Sequence, residues 1–506
     1  MANYLFGIDF GACNLKCVRA DKSKMRPVRL NTNDDGSFHT PNAIFYKKNK
    51  DGEVEFSIGQ YAIDMGSLTP ENLVVGLKRK LELKDWQQFI PNLNYDVSAE
   101  KVTEDILKKI FDAATKNVPA GDESHAVVTV PVIFTKHQRS LIKSAAQKAG
   151  FKVDGVINES FAAIFGVDAE EDSLNVIFDL GGSTLDVSVI KFERDEVQEL
   201  VAAGLKLGGI DIDRAILEKI LKPKFGDALA ARWQCLNADD FQMNFVRRLR
   251  ENLYADEFDE SASATLVDAY FDFEINRAEV DALLESEGYR EKIFAMLDEL
   301  FGELSQGEDC FDKSDVTKIW ALGGTMHIPY FRNLLENYFG ADLFDAQDYD
   351  FEDNEDLIEG LADKYLVVAG GAANFLKNLD GITAVNAIPY RICYSLGKNL
   401  QLGIAKNMPA GFETLYLHLN LAELDNCGWK ISLYQTFGDE ANFEDAAYLG
   451  EVQLNSALYE KNETPLLKLK MMRDGRLRLR FNERRMLDDD SADIILVEQH
   501  FLNLEE

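Results

Sequence analysis

The sequence is short of positive charge, with 54 lysines and arginines against 87 aspartates and glutamates and a net charge of −33 over 506 residues. Such a surface repels a polyanionic backbone, which argues against nucleic acid as the main partner. Long hydrophobic runs are also missing, since no stretch reaches the ~18 apolar residues that span a bilayer, and we expect no membrane partner. The N-terminus has no basic region before its apolar residues, which favours a strand over a signal peptide.

Cysteines are few and scattered, with no spacing typical of a metal site. They are Cys13, Cys17, Cys235, Cys310, Cys393 and Cys427. We interpret them as buried, reduced thiols and expect a cytoplasmic protein. The hydrophobic content of 46% is that of a globular protein, and a chain of this length can bury a large core in more than one domain.

The most informative segment is VIFDLGGSTLDVSVI at residues 176–190, in which two apolar runs flank a glycine pair. The runs predict two strands, and the pair predicts the tight turn between them. Glycines let the backbone of such a turn approach a bound group and point its N–H donors at it. Asp179, at the mouth of the turn, suits a hydrated metal ion. The pattern indicates a nucleotide site, although an ordinary hairpin with an acidic turn residue has the same composition.

A second strand–Asp-X-Gly–strand unit lies at residues 4–20, where Asp9-Phe10-Gly11 follows an apolar run. Two such units in one chain suggest a duplicated domain with a site between its halves. Glycine pairs also occupy two further predicted turns, Gly208-Gly209 and Gly323-Gly324. The second of these pairs ends a strand shortly before a predicted helix with Pro329 in its first turn, a geometry in which N–H groups face a ligand.

Together these segments resemble the seventy-kilodalton heat-shock chaperones (DnaK-type), a family of the actin-like ATPase superfamily. Five motifs carry the resemblance in the family's order: GIDFG (7–11), AVVTVPVIFTKHQRSLIKSAAQKAGF (126–151), VINESFAAIFG (156–166), VIFDLGGSTLDVSVI (176–190) and ALGGTMHIP (321–329). The resemblance implies an α/β fold, in which an actin-like two-lobed nucleotide-binding domain is followed by an all-β sandwich domain. We place the first domain over residues 1–384, a linker over 385–397 and the substrate-binding-like sandwich over 398–506.

Beyond about residue 384 the long helical patterns stop, and apolar and polar residues alternate. Alternation with a period of two between turn residues predicts antiparallel strands. The alternating segments are KISLYQTF (430–437), LGEVQL (449–454), PLLKLKMM (465–472) and RLRLRF (476–481). This tail resembles the family's substrate-binding sandwich, and we expect the helical lid that follows it in the family to be absent.

The resemblance implies phosphoryl transfer from ATP to water, which needs a held Mg²⁺, neutralised phosphate oxygens and an oriented water. It places Asp9 and Asp179 on opposite lobes, where they hold magnesium-bound water. Glu159 would orient the water or the metal, and Asp186 would support this arrangement as a further carboxylate. The residues implied to contact the nucleotide are Gly11, Ala12, Cys13, Gly181, Gly182, Ser183, Thr184, Gly208, Gly209, Ser261, Gly323, Gly324 and Thr325.

Two further residues match the family's coupling machinery, Pro131 its switch proline and Arg139 its relay arginine. Each also has an ordinary interpretation, as a proline at the end of a strand and an arginine on a helix face. In the same way, Asp9 is an ordinary turn acid and Glu159 an ordinary loop acid when the resemblance is set aside.

The phosphate side of the implied site departs from the family. Its two loop threonines, whose hydroxyls would bond phosphate or position the metal, are Ala12 and Cys13 here. Its catalytic lysine aligns with Ile63, so a cation is missing from its expected place. Lys78 and Lys80 are candidate substitutes, but their spacing better fits the arginine and lysine pair that the family has on a helix there in any case. Losing one preorganised electrostatic group costs ~10²–10³ in rate. We therefore expect slow ATP hydrolysis, or none.

The adenine clamp is altered as well. The family's glutamate, lysine and arginine align with Tyr254, Glu257 and Phe258, and only the serine remains, as Ser261. Tyr254 and Phe258 are four residues apart on a predicted helix, so they either stack on adenine or belong to the core. The arginine of the family's adenosine turn is His327.

Acidic residues are densest at residues 342–363, DLFDAQDYDFEDNEDLIEGLAD. A solvated surface insertion explains this stretch. A docking surface for a basic partner is the alternative.

We expect a divergent chaperone-like protein that binds ATP or ADP with Mg²⁺ and couples the nucleotide state to binding of an extended polypeptide. Strand pairing would supply the affinity for the polypeptide, and side-chain pockets the specificity. A co-chaperone is a further candidate partner. The alternative is a non-enzymatic scaffold or nucleotide-sensing protein, with an inactive ATPase fold, whose sandwich docks one dedicated protein.

Overall fold

The computed structural model describes most of the chain up to residue 378 and shorter stretches beyond it. The described residues are 3–21, 24–30, 38–83, 85–193, 196–224, 239–255, 259–265, 272–305, 311–344, 364–378, 383–385, 387–388, 391–397, 399–405, 407–409, 417–436, 443, 446–454, 465–471, 477–482 and 499–502. Within these ranges no helix combines the length and the apolar character needed to cross a membrane. Residues 345–363 of the acidic stretch lie outside the described residues, as do Glu257, Phe258, Cys235 and Cys310.

Strands dominate the described elements. In chain order they are Asn3–Phe10 (β1), Asn14–Ala20 (β2), Met25–Pro27 (β3), Thr40–Pro41 (β4), Ala43–Lys48 (β5), Val54–Ile58 (β6), Leu73–Val75 (β7), Gln87–Ile90 (β8), Tyr95–Ser98 (β9), Glu123–Val130 (β10), Lys152–Asn158 (β11), Ser173–Leu180 (β12), Leu185–Phe192 (β13), Glu196–Leu205 (β14), Ser261–Thr265 (β15), Asp272–Asn276 (β16), Lys318–Leu322 (β17), Thr383–Val385 (β18), Ala387–Ile388 (β19), Arg391–Ser395 (β20), Leu400–Ile404 (β21), Met408–Pro409 (β22), Leu417–His418 (β23), Lys430–Thr436 (β24), Ala447–Gln453 (β25), Leu466–Met471 (β26), Leu477–Asn482 (β27) and Gln499–Leu502 (β28).

The described α-helices lie mainly between the strands of the first 380 residues. They are Gln60–Leu68, Leu77–Lys80, Ala99–Ala114, Lys136–Ala149, Glu159–Ala163, Gly209–Ile216, Asp239–Leu253, Arg277–Ser286, Tyr289–Ser305, Pro329–Phe339, Val367–Asn378 and Leu421–Asn426. Local chemistry sets several of their starts. The Thr135 hydroxyl accepts a hydrogen bond from the Gln138 N–H, and the Gln138 side chain accepts one from the Thr135 N–H. The two bonds form a capping box. Pro329 occupies the first helical turn, as the sequence predicts.

The N-terminal sheet is built around the first Asp-X-Gly hairpin, and its described strands run in the order β11-β10-β1-β2-β3, with β4 paired to β2. Strand β1 pairs antiparallel with β2 and parallel with β10. The central sheet repeats this pattern in the order β17-β12-β13-β14-β18. There β12 pairs antiparallel with β13 and parallel with β17. The two predicted strand–turn–strand units are therefore confirmed, each with a parallel strand on its other side.

The helix Val367–Asn378 packs closely against β1 and against the helix Glu159–Ala163. A Cβ atom on Gly7 of β1 would lie 2.0 Å from the Ala369 carbonyl oxygen and 2.4 Å from the Ala373 backbone nitrogen. A Cβ on Gly371 would lie 1.9 Å from the Ala162 carbonyl oxygen. Glycine is required at both positions because backbone atoms occupy the space that a side chain would need.

Replacing Gly7 with alanine is expected to lower the free energy of unfolding by about 2 kcal/mol or more, since backbone rather than a flexible side chain would have to move. The matched control is Gly155→Ala in β11, where the nearest atoms to the added Cβ lie 3.8 Å away. Urea unfolding of both variants measures the difference. Equal stability of the two would contradict this account of the helix packing.

Several smaller sheets surround the two large ones. Among the described residues they are β6-β5-β7, β8-β9, β15-β16 and β19-β22.

The thiols described are free, with Cys17 and Cys393 buried and Cys13 and Cys427 partly exposed. The prediction that the cysteines are buried therefore holds fully for two of these four.

The C-terminal strands form two four-stranded sheets within the described residues, in the orders β21-β20-β24-β25 and β23-β26-β27-β28. The strands predicted from period-two alternation are confirmed at β24, β25, β26 and β27. Buried leucines and isoleucines of both sheets, such as Ile431 and Leu469, belong to one apolar cluster. Asn407, just before β22, accepts a hydrogen bond from the Ala202 backbone of β14 at 3.1 Å and donates one to Glu303.

Candidate functional site

A cavity of about 560 Å³ lies between the two Asp-X-Gly hairpins. The predicted residues that line it are Asp9, Gly11, Ala12, Cys13, Glu159, Asp179, Gly181, Gly182, Ser183, Thr184, Gly323, Gly324 and Thr325. These residues are far apart in sequence, and the fold brings them together because they lie at or just beyond the ends of strands β1, β11, β12 and β17 in the two large sheets. The size of this cavity is that of a small-molecule site.

The two hairpin turns face each other at close range. A Cβ atom on Gly182 would lie 2.2 Å from the Cys13 sulfur, so only glycine leaves room for Cys13. The Asn42 side chain donates a 2.7 Å hydrogen bond to the Gly11 carbonyl and fixes the first turn. Thr325 donates a 2.8 Å hydrogen bond to the Gly181 carbonyl and fixes the second. Each turn is thus held by a side chain from another segment of the chain.

Gly208 and Gly209 support the second turn and lie behind the cavity. The Gly209 N–H donates to the Gly181 carbonyl at 3.1 Å, and the Ile210 N–H donates to the Gly182 carbonyl at 2.8 Å. A Cβ on Gly208 would lie 2.6 Å from the Ser183 backbone nitrogen. These glycines allow one backbone segment to lie directly on the other.

Four carboxylates are buried around the cavity, on Asp9, Glu159, Asp179 and Asp186. Burial raises the pKa of Asp179 to about 7, and the charge of Glu159 adds to the effect. Burial likewise raises the pKa of Glu159, and it raises that of Asp186 well above its usual range. Asp186 faces away from the cavity lining and accepts a 2.6 Å hydrogen bond from the Val132 N–H. The cluster therefore has more negative charge than its surroundings neutralise.

Two lysines partly balance these carboxylates. Lys16 donates a hydrogen bond to Asp9 at 2.7 Å, and Lys78 pairs with Glu159. Lys78 is one of the two lysines that the sequence offers as substitutes, whereas Lys80 donates to the Val75 carbonyl and is outside the cavity lining. Lys16 is not among the residues predicted from the sequence. The register of the first hairpin, which places Lys16 directly opposite Asp9, is the feature that identifies it.

Of the four buried carboxylates, Asp9, Glu159 and Asp179 line the cavity, together with the cations Lys16, Lys78, Arg247 and Arg250. Among the described side chains, no three of His, Cys, Asp and Glu converge as direct metal ligands. Mg²⁺ commonly keeps several of its waters and takes one or two carboxylates. The donor set fits a hydrated Mg²⁺ held by Asp9 and Asp179.

Two arginines form ion pairs beside the cavity. Arg79, from the helix Leu77–Lys80, donates to Asp211 at 2.6 Å and to the Ser183 carbonyl at 3.4 Å. On the helix Asp239–Leu253, the buried Arg250 donates to Asp213 at 2.6 Å. These arginines are not among the residues predicted from the sequence, because their partners are distant in the chain.

The far end of the cavity is aromatic. His327 hydrogen bonds to the Tyr365 hydroxyl, and His39 packs edge-on against the Tyr365 ring with centroids 4.9 Å apart. Tyr254 belongs to the central hydrophobic core, as one of its two interpretations predicts, and it also lines the cavity; its stacking on adenine stays a prediction. Ser261 is exposed at the start of β15 and is not part of the lining. Phe258 lies outside the described residues.

The two predicted coupling residues contact each other. Arg139 donates to the Pro131 carbonyl at 3.1 Å and to the Asn158 side chain at 2.7 Å. Asn158 in turn donates to Glu199 of β14 at 3.2 Å. This chain of hydrogen bonds joins the residue next to Glu159 to the central sheet.

Comparisons with known proteins agree with this geometry. The family described as Hsp70 protein matches residues 5–351. A chaperone protein dnaK of Trieres chinensis is 26% identical over 366 residues, which cover 65% of this chain and 56% of that protein. A chaperone protein DnaK of Picrophilus torridus is 30% identical over 356 residues, covering 66% and 54%. A chaperone protein HscA homolog of Haemophilus influenzae is 26% identical over 360 residues, covering 66% and 53%. The chain spans about half the length of these curated relatives.

Proposed function

The chain belongs to the Hsp70 protein family, and from that premise we propose that it binds ATP or ADP with Mg²⁺ in the cavity between the two Asp-X-Gly hairpins. One observation carries the proposal: both hairpin turns line one cavity with a buried carboxylate each, Asp9 and Asp179. The repeated strand pattern of the N-terminal and central sheets supports a two-lobed domain over 1–384. The shared core of the two C-terminal sheets supports a sandwich over 398–506, and β20, within the expected linker at 385–397, pairs into the first of these sheets.

In this proposal the protein's own groups bind, orient and neutralise. Asp9 and Asp179 accept hydrogen bonds from the waters of the magnesium ion, which supplies charge neutralisation to the phosphate oxygens when bound. The turns at Gly11 and Gly182 face the phosphates with backbone N–H donors. Glu159, held by Lys78, accepts a hydrogen bond from the attacking water and orients it. Hydrolysis is slow, because Ala12 and Cys13 carry no hydroxyl for the phosphates.

Calorimetric titration with ATP and Mg²⁺ tests this proposal. We expect binding, with a higher melting temperature as ligand is added, by mass action. A ligand at ~100 times its Kd adds about 2.7 kcal/mol to the free energy of unfolding. The same titration without Mg²⁺ measures how much of the nucleotide affinity depends on the metal. An absence of heat and of any melting shift at millimolar ATP would refute nucleotide binding here.

We further propose that the nucleotide state controls binding of an extended polypeptide by the C-terminal sheets. Strand β18 pairs in parallel with β14, and Asn407 bonds to Ala202 of the same strand. The Arg139–Asn158–Glu199 contacts reach β14 from the nucleotide side. One strand therefore receives contacts from both regions, which supports a route for coupling.

The second candidate function is a nucleotide-sensing or scaffold protein with one dedicated partner. The loss of the loop hydroxyls at Ala12 and Cys13 favours it. A panel of unrelated apolar peptides separates the two, since a chaperone binds many of them with an affinity that ATP changes. Binding of almost none, together with intact ATP binding, would favour the dedicated partner.

A further inference from the structure

The position that aligns with the family's catalytic lysine cannot supply a cation to this cavity. Ile63 packs against an apolar cluster that includes Phe45 and Leu73, and it is not part of the cavity lining. A phosphate group in the cavity therefore needs its positive charge from another element.

Lys16 lies where such a charge is needed. It leaves the first hairpin on β2, directly opposite Asp9 on β1, and lines the cavity. Its side chain is 16% exposed. Its ammonium donates a 2.7 Å hydrogen bond to Asp9. The charges of Asp179 and Glu159 also reach it.

Lys78, the other lysine among the lining residues that the structure describes, already has a partner. Its side chain is only 3% exposed, pairs with Glu159 and lies with its ammonium 5.8 Å from the centre of the Phe134 ring. Moving it toward a phosphate would leave Glu159 buried without its partner, which is costly. Lys16 bonds to a carboxylate that Mg²⁺ would itself help to neutralise, so its ammonium can turn to another anion without leaving Asp9 uncompensated.

We propose that Lys16 is the phosphate-binding cation of this protein and that it replaces the function lost at Ile63. The inference rests on the proposed nucleotide site. Without nucleotide, Asp9 holds the ammonium at the cavity wall. With nucleotide, Lys16 donates to the phosphate oxygens between the two turns. Its charge lies beside both Asp9 and Asp179, so it neutralises the phosphates at the point where the two halves of the site meet.

The test is calorimetry with ATP, ADP and adenosine, each with Mg²⁺, on the wild-type protein and on Lys16→Met. Hydrogen bonds to charged groups exceed the free energy of a tenfold affinity step, so we expect the variant to weaken ATP at least ~10-fold. Adenosine, which lacks phosphate, should bind both proteins equally. Lys16→Arg keeps the charge and should bind ATP within ~3-fold of wild type.

The control is Lys148→Met, which removes an exposed lysine paired with Glu104 on the outside of the protein and should leave ATP affinity unchanged. Equal ATP affinity of Lys16→Met and wild type would overturn the proposal while leaving the nucleotide site intact. A wild-type protein that binds no nucleotide would instead overturn the nucleotide site and this proposal with it. If Lys16→Met fails to fold, protection of wild-type Lys16 from an amine-reactive ester by ATP but not by adenosine decides in favour, and equal labelling decides against.

Discussion

Replacing Asp179 with asparagine is expected to abolish Mg²⁺-dependent ATP binding and hydrolysis while making the nucleotide-free protein more stable above neutral pH. The loss follows because an amide cannot hold the hydrated cation, and removing one preorganised group of this kind costs ~10²–10³ in rate. The gain follows because Asp179 is buried at 8% exposure among other carboxylates. An asparagine has no charge to desolvate there, so the variant loses function and gains stability together.

The pH dependence of the free energy of unfolding tests whether the gain in stability comes from Asp179. Burial raises the pKa of Asp179 from 3.8 to about 7, so the folded protein binds a proton that the unfolded chain has released between these values. The wild-type protein therefore loses stability as pH rises from about 4 to about 7, and this part of the slope is absent in the variant. Melting curves without nucleotide, at about pH 4 and about pH 8, should show a much larger advantage of the variant at the higher pH.

Asp112→Asn is the control, because Asp112 is an exposed acid on the helix Ala99–Ala114, paired with Lys108. It should change neither ATP binding nor the pH slope. Unchanged Mg²⁺ dependence in Asp179→Asn would rule out the metal assignment. A variant that loses both ATP binding and stability would mean that Asp179 supports the fold instead.

How much of this site the sequence predicts depends on how far apart the partners lie along the chain. The turns at Asp9 and Asp179 are predicted because each is a local pattern of apolar strand, acid and glycine. Lys16 is within reach of the same reasoning, since hairpin register alone pairs it with Asp9. The contact of Cys13 with Gly182 and the Arg79–Asp211 pair are different. They depend on how the two sheets pack, which no local pattern encodes.

The same limit applies to the aromatic end of the cavity. The sequence predicts that the family's clamp is changed, because Tyr254 stands where a glutamate is expected. It does not predict that His39, His327 and Tyr365 meet at the cavity. Those three come from separate elements of the chain. Tyr365 lies two residues before the helix Val367–Asn378, which Gly7 of β1 allows to approach closely.

Replacing Lys78 with methionine is expected to cost ~3–5 kcal/mol of the free energy of unfolding, because Glu159 would remain buried without its partner. Burial raises the pKa of Glu159, and the Lys78 charge is the largest opposing effect. Adding Glu159→Gln removes the stranded charge, so the double variant should recover much of the loss. Its ATP hydrolysis should not recover, because the uncharged glutamine is a weaker hydrogen-bond acceptor than the carboxylate and orients the attacking water less well. Urea unfolding and turnover assays on the two single variants and the double variant measure both effects.

The exposed pair Lys148–Glu104 gives the matched double-mutant cycle, since Lys148 is 63% exposed and the pair lies at 2.6 Å. Exposed pairs contribute ~0–1 kcal/mol, so that cycle should show little coupling. A similarly small coupling between Lys78 and Glu159 would contradict the assignment of Lys78 as the partner that stabilises buried Glu159. A large coupling, with hydrolysis lost in every variant that lacks Glu159, separates the two roles, because Lys78 then holds the carboxylate in place and Glu159 orients the water. Of the two lysines in the described lining, Lys16 is then the one left to meet the phosphates.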